Sequence, residues 1–423
     1  MLGLVLFGGF FLFLVMGLPV GFGLAVASLA AICFFGYPLT VFTQRMFTAV
    51  NSFPLMAIPL FMLAGAFMSH GGITRRIIDF ALAFVGGIRG SLGHVVAISG
   101  VIMGGISGSG VADAAALGSI MIPEMKKRSY DEGFSAALVA CSGSIGLIIP
   151  PSIAIIIYGV TAQTSIGDLF MAAIAPGVLI GAGFLGYSYW YAVRHKYPRE
   201  GAVSGSEKWN RFKDAIWALL MPVIIIGGIR TGVFTATEGG AVVSVYALVV
   251  GVFVYKEITW KNLPKICVEA AISTAVIGTI IAATSLFGWL LASEQIPQQI
   301  TNYLLGISDN KYVLLMLINM LLLICGMFLE VGATNLILGP ILAPIALKFG
   351  VDPVHFGLVF VFLLAMGQAT PPFGTTLFVS CGLSGQRVAA VSRQVLPFVA
   401  VEVVCALLFA FVPGLSTWLA NLL

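Results

Sequence analysis

Charge is what this sequence has least of. Only 9% of its 423 residues are Asp, Glu, Lys or Arg and 59% are hydrophobic, whereas a soluble protein carries about 25% charge. A water-soluble domain is thereby excluded. The six cysteines (Cys33, Cys141, Cys267, Cys325, Cys381 and Cys405) are scattered through apolar runs without paired spacing, so they read as small core residues and not as a disulfide framework. No two of the four histidines stand at metal-ligand spacing and no His-Glu-x-x-His pair exists, which removes the usual signature of an intramembrane metal hydrolase. No lysine follows a glycine, so there is no Walker-type phosphate loop and no direct use of ATP. The net charge of +4 is no nucleic-acid signal in so apolar a chain; it reports membrane topology. The opening stretch from Leu2 to Leu39 is uncharged and has neither a basic start nor a small-residue cleavage site. It reads as two spanning helices, not as a signal peptide.

What is present is a series of long apolar runs. A crossing needs about 20 apolar residues as a helix, and these runs far exceed barrel strands. The fold class is therefore all-α and polytopic. Expected spans are 2–18, 20–37, 51–69, 132–158 and 169–192, then 215–230, 236–255, 268–293, 353–380 and 394–420. Between the third and fourth span of each half lie an amphipathic stretch suited to an interfacial arm (72–90; 294–310) and a Gly-centred apolar run (91–125; 312–348). Each of these Gly-centred runs is long enough for a re-entrant helical hairpin.

The halves repeat each other. Sliding the chain by 221 positions, without a gap, superimposes Gly105 on Gly326, Ala112 on Ala333, Leu117 on Leu338, Gly118 on Gly339 and Ile120 on Ile341. The same shift matches Pro123 with Pro344, Asp131 with Asp352, Gly146 with Gly367, and Pro150-Pro151 with Pro371-Pro372. Chance similarity of oily segments would yield Leu and Val matches with gaps. Domains are then a first repeat (1–192), a polar linker (193–214) and a second repeat (215–423).

Five crossings per repeat is an odd number, so the second repeat is inverted. With the basic linker placed in the cytoplasm, 17 of the 21 Lys and Arg residues fall inside, and only Arg45, Arg230, Lys311 and Lys348 fall outside. Both termini then lie outside, and the two hairpins enter from opposite faces.

Irregular backbone at membrane depth survives only where protein or a wet cavity covers it. Inverted repeats with broken segments meeting at mid-depth are the pattern of secondary transporters. Proline has no N–H, so Pro150-Pro151 frees carbonyls one turn earlier. Ser107, Ser109, Gly146, Ile149 and Pro151 form a candidate oxygen site for a monovalent cation such as sodium. Its twin is Gly332, Thr334, Asn335, Gly367, Thr370 and Pro372. The alternative for each hydroxyl is back-bonding to its own helix. Asp113 and Glu330 lie beside the two tips, either as functional intramembrane carboxylates or as helix caps. Glu238 and Glu402 stand nearer expected span ends and read as structural. Ser109, Asp113, Ser144 and Asn335 are the candidates for substrate contact.

Gly108-Ser109-Gly110 with Ala112-Asp113, then Ile148-Ile149-Pro150-Pro151-Ser152 and Thr370-Pro371-Pro372-Phe373-Gly374, resemble the large membrane subunit (DctM type) of tripartite ATP-independent periplasmic (TRAP) transporters across essentially the whole chain. The resemblance implies an elevator-type, sodium-driven carrier in the bacterial inner membrane, with no organic cofactor. It further implies a small four-helix membrane subunit (DctQ type) and a periplasmic substrate-binding protein as partners. The family precedents for substrate are small carboxylates, C4-dicarboxylates and sialic acids. No extra four-helix region precedes the first span, which implies the separate and not the fused form. A stand-alone divalent-anion sodium symporter of similar hairpin architecture is the alternative.

Overall fold

The computed structural model describes residues 2–201, 203–307 and 310–415, and helix is the only regular secondary structure among them. A chain in hydrocarbon must satisfy its own N–H and C=O groups, and helices do so within one segment. The first half runs α1 (Leu2–Val15), α2 (Val20–Phe35), α3 (Thr40–Val50), α4 (Ala57–His70), α5 (Ile73–Val85), α6 (Ser91–Ser107), α7 (Gly110–Lys127), α8 (Glu132–Ser144), α9 (Ile153–Thr161) and α10 (Ile166–Arg194). The second runs α11 (Gly205–Arg230), α12 (Ala236–Val249), α13 (Leu263–Ser293), α14 (Ile296–Ile307), α15 (Lys311–Phe328), α16 (Val331–Lys348), α17 (Pro353–Ala369), α18 (Thr375–Ser384) and α19 (Val388–Phe411). Eight helical segments among the described residues are long and apolar enough to cross a membrane.

The repeat is visible element by element. Adding 221 to Gly110–Lys127 lands on Val331–Lys348, the whole of α16, and adding it to Ser91–Ser107 lands within α15. The expected hairpins are the pairs α6/α7 and α15/α16, the broken spans are α8/α9 and α17/α18, and the arms are α5 and α14. One scaffold element differs between halves. α13 is a continuous helix of 31 residues, whereas its counterpart is split into α3, a tight turn at Phe53–Met56 and α4. Asn51-Ser52-Phe53-Pro54 explains the split, because proline disfavours a helical conformation in the residue before it; the matching stretch of α13 has no proline.

Three expectations need correction. Residues 40–50 form a helix not foreseen; none of its residues is buried, so it gave no buried stripe to read. The linker is not loop throughout, because Ser204 caps α11 by accepting from Glu207 N at 3.2 Å, and 205–214 are helical. Of the six cysteines, Cys141, Cys381 and Cys405 are buried and Cys325 partly so, but Cys33 and Cys267 are exposed and are not core residues. The expected 394–420 span is α19, starting at Val388; its residues 416–420 and the carboxy terminus lie outside the described residues.

At the centre stand α8 and α17. Every residue from Phe134 to Ser144 and from His355 to Ala369 is buried. Lipid tails are as apolar as leucine, so helices associate here through close packing and small residues. A Cβ added to Gly143 would lie 2.7 Å from Ala114 Cβ, and one added to Gly110 would lie 3.1 Å from Gly143 O. Basic segments gather at one end of the molecule. Arg128 pairs with Glu200 at 2.9 Å, Arg211 with Asp79 at 3.1 Å, and Gly90 N donates to Pro198 O at 3.0 Å.

Candidate functional site

Each broken span stops at the same backbone problem. In α8 the carbonyls of Gly146 and Leu147 would be bonded by the N–H groups of residues 150 and 151, but both are prolines and donate nothing. The Ser152 hydroxyl takes over Leu147 O at 2.5 Å, while Ile148 N and Ile149 N both turn back to Ile145 O at 2.9 and 3.0 Å. In α17 the equivalent carbonyls belong to Gly367 and Gln368. There the Thr376 hydroxyl donates to Gln368 O at 2.9 Å and Thr370 N to Gly367 O at 3.1 Å. The Pro150–Pro151 and Pro371–Pro372 bonds are both cis. The Ser152 and Thr376 hydroxyls were missed as site residues; the signal for Ser152 was a hydroxyl directly after two residues without donors.

The first hairpin tip is pressed onto the first break. Gly108 adopts φ 63°, which only a residue without a Cβ holds easily, and a Cβ there would fall 2.4 Å from Pro151 O. Ile153 N donates to Gly108 O at 3.4 Å. Ser107 Oγ accepts from Ser109 N at 3.1 Å, and Ser109 caps α7. Ile149 lies against Gly177 of α10, where an added Cβ would sit 2.2 Å from Ile149 Cγ1. The sequence-derived first set is thus brought together.

The structure adds a carboxylate to that set. Asp113 is 0% exposed, has the Ser107 hydroxyl as a hydrogen-bonding neighbour and no ion-pair partner among the described residues, and a Cβ on Gly146 would fall 2.2 Å from Oδ2. Asp113 is not the cap of α7, since Ser109 fills that role. With Ser107 and Ser109 it lines a cavity of about 240 Å³ that reaches Gly65, His70 and Glu269 on α4 and α13. Ser109, the cap of α7, and Ile153, the first residue of α9, line this cavity, and helix N-termini favour anions.

The second set is arranged differently. Gly367 abuts the Gly326 backbone so closely that an added Cβ would lie 2.4 Å from Gly326 C. The Thr334 hydroxyl donates to Glu330 O at 2.9 Å and the Thr370 hydroxyl to Met366 O at 2.7 Å. Both are thus back-bonded to their own helices, with lone pairs still available. Glu330 realises the capping alternative, accepting from Ala333 N at 2.9 Å, and lies beside Gly332. Pro372 and Phe373 are exposed.

Two substrate candidates fall outside the cavity. The Asn335 amide, fully buried, donates to Ala154 O at 2.7 Å and so ties α16 to α9 across the repeats. Ser144 is fully buried and engaged with Cys141 O and Glu402. Glu402 itself is not near a helix end, as expected from sequence, but in the middle of α19 and 1% exposed. Glu238 does sit at a helix start, in a capping box with Thr235.

An all-helical membrane fold with paired hairpins and broken helices defines a class of transporter. The chain superposes on the YdaH transporter of Alcanivorax borkumensis with a TM-score of 0.65, covering 91% of this chain and 89% of that one at 14% identity. MtrF of Neisseria gonorrhoeae gives 0.62 over 88% and 84%, also at 14% identity. Those likenesses are of fold. Residues 7–415 match the family described as the tripartite ATP-independent periplasmic transporter, DctM component. The chain is 42% identical over 99% of its length to the isethionate TRAP transporter permease protein DctMQ of Oleidesulfovibrio alaskensis, of which it spans 66%. It is 35% identical to the C4-dicarboxylate TRAP transporter large permease protein DctM of Rhodobacter capsulatus, covering 100% of both chains. To the sialic acid TRAP transporter large permease protein SiaM of Vibrio cholerae it is 40% identical over 96% of this chain and 95% of that one. The chain belongs to the DctM family of TRAP transporter large permeases; it is a multi-span membrane transporter component and not an enzyme.

Proposed function

We propose that this chain is the carrier subunit of a sodium-coupled uptake system for a small organic carboxylate, working by an elevator movement in the bacterial inner membrane. The observation that carries the reading is the first break: a buried Asp113 carboxylate with no counter-ion among the described residues, against Gly146 and beside the Ser107-Gly108-Ser109 tip. An unpaired ionised carboxylate in a dry interior is expensive, and a small cation among neutral oxygens offsets that cost. The residues to hold it are Ser107, Ser109, Asp113, Gly146, Ile149 and Pro151. Gly332, Thr334, Asn335, Gly367, Thr370 and Pro372 are the candidates for a second ion. Among the described residues no three His, Cys, Asp or Glu side chains converge, and this donor set of mostly neutral oxygens suits a monovalent ion better than zinc.

Coupling is energetically sufficient. At about 100 mV an inward charge is worth about 2.3 kcal/mol, and a tenfold gradient adds about 1.4 kcal/mol. Two sodium ions therefore supply about 7 kcal/mol, of which a monoanion returns about 2.3. Support for an elevator comes from the packing of hairpins and broken helices around α8 and α17, with the amphipathic arms α5 and α14 leading into them from the scaffold helices. Relatives named for isethionate, C4-dicarboxylate and sialic acid support an anionic substrate, and the tripartite family description supports two partners, a small membrane subunit and a periplasmic binding protein. It weighs against the partner-free symporter. We place the amino terminus on the periplasmic face.

The test is uptake into proteoliposomes holding the membrane complex, with the binding protein outside and a carboxylate that this protein binds. Uptake should require an inward sodium gradient. Equal uptake with choline or potassium in place of sodium rejects the coupling, and full activity of the purified chain alone favours the partner-free alternative.

A further inference from the structure

The first break has a second acid behind it. Ser144, the last residue of α8, places its hydroxyl 3.2 Å from Glu402 Oε1 and 2.7 Å from Cys141 O, and Glu402 Oε2 has no hydrogen-bond partner among the described residues. The Cys141 and Cys405 thiols are its neighbours, and neither is a counter-ion. The fold itself does not require this contact. Under the 221-residue shift the symmetry-related positions are Gly181 and Ala365, and the α17 break forms without an acid there. Burying an acid without a counter-ion is costly, so its presence behind only one of two like breaks points to something that break does. Two residues beyond Ser144 is Gly146, which abuts Asp113. The segment Ser144-Ile145-Gly146 is thus held between a carboxyl from α19 and a carboxyl from α7.

We infer that Glu402 is a positioning residue for the first cation site: through Ser144 it fixes the end of α8, and with it the Gly146 backbone against Asp113, without touching the ion. This rests on the sodium reading of that break. The test is a sodium titration of thermal stability, at ionic strength held constant with choline chloride, on the full chain with any membrane subunit that co-purifies. Wild type, S144A, E402Q, E402L and S144A/E402L are compared. E402L and S144A should each raise the half-saturating sodium concentration about fivefold, the size of one lost hydrogen bond. The double variant should go no further, and E402Q, which still accepts from Ser144, should stay within about twofold of wild type. A lower melting temperature without sodium and an unchanged sodium midpoint would mean a structural role only and overturn the inference. E402Q shifting as far as E402L would overturn it as well. Should E402L not fold, S144A and E402Q read the same contact. No sodium stabilisation of wild type would reject the sodium reading and the inference together, which a change confined to the variants would not.

Discussion

The two breaks start from the same proline pair and end in different chemistry. In both, a hydroxyl from the following helix takes over one of two carbonyls stripped of donors, Leu147 O by Ser152 and Gln368 O by Thr376. The other carbonyl differs. Gly367 O receives Thr370 N, whereas Gly146 lies against the buried Asp113. The first break is wholly buried, while Pro372 and Phe373 at the second are exposed. Symmetry thus supplies two similar backbone sites whose carboxylates are used differently: Asp113 lies against the first break, whereas Glu330 is engaged in capping α16 at the second. On the sodium reading proposed above, the two sites are expected to bind their ions unequally.

That comparison is broken most completely if the repeats are not inverted. Single cysteines at Ser204 and Asn310 should label with a membrane-impermeant maleimide from opposite faces, an all-or-none result; same-side labelling removes the symmetry. Next come the contact glycines. G367A drives a methyl into the Gly326 backbone and G146A drives one into the Asp113 carboxylate, and overpacking costs about 1–3 kcal/mol. Transport per molecule in the membrane should fall at least about tenfold for both, further for G367A because backbone yields less than a side chain; normal rates in either show that the close approach is not required.

The charge difference is sharpened by sodium dependence. D113N should raise the sodium concentration for half-maximal uptake at least about tenfold, with S107A and T334A each shifting it about two- to fivefold, since a neutral ligand contributes about one hydrogen bond's worth. Equal shifts for D113N and T334A make the sites equivalent, and no shift in S107A and T334A removes the hydroxyls from both. The smallest effect is expected at Asn335, whose bond to Ala154 O joins the repeats. N335A should lower stability by about 1 kcal/mol, read by thermal unfolding, and, as one neutral candidate ligand of the second site, raise the sodium midpoint no further than T334A does.

Much of this was legible in sequence where a residue acts on its own backbone. Pro150-Pro151 and Pro371-Pro372 announce breaks whatever surrounds them, Gly108 announces a tight tip, and Arg75 and Arg76 on an apolar-faced stretch announce an arm. What stayed hidden depends on neighbours. Ser152 is a serine like many others until Leu147 O is seen to need a donor, and the placement of Asp113 against Gly146 requires knowing that α7 folds back on the end of α8. Glu402 reads as near a span end when the span is drawn from 394, but α19 starts at Val388 and places it mid-helix. Asp113 and Glu330 stand four residues apart in repeat register; Glu330 matches Ser109, and each of these two caps its helix.

Equilibrium binding of radioactive sodium to the purified membrane complex tests the inequality of the two sites directly. Wild type should bind saturably with a tighter component that D113N loses and T334A keeps. Indistinguishable binding curves for wild type and D113N would contradict the assignment of the charged first break as the principal ion site.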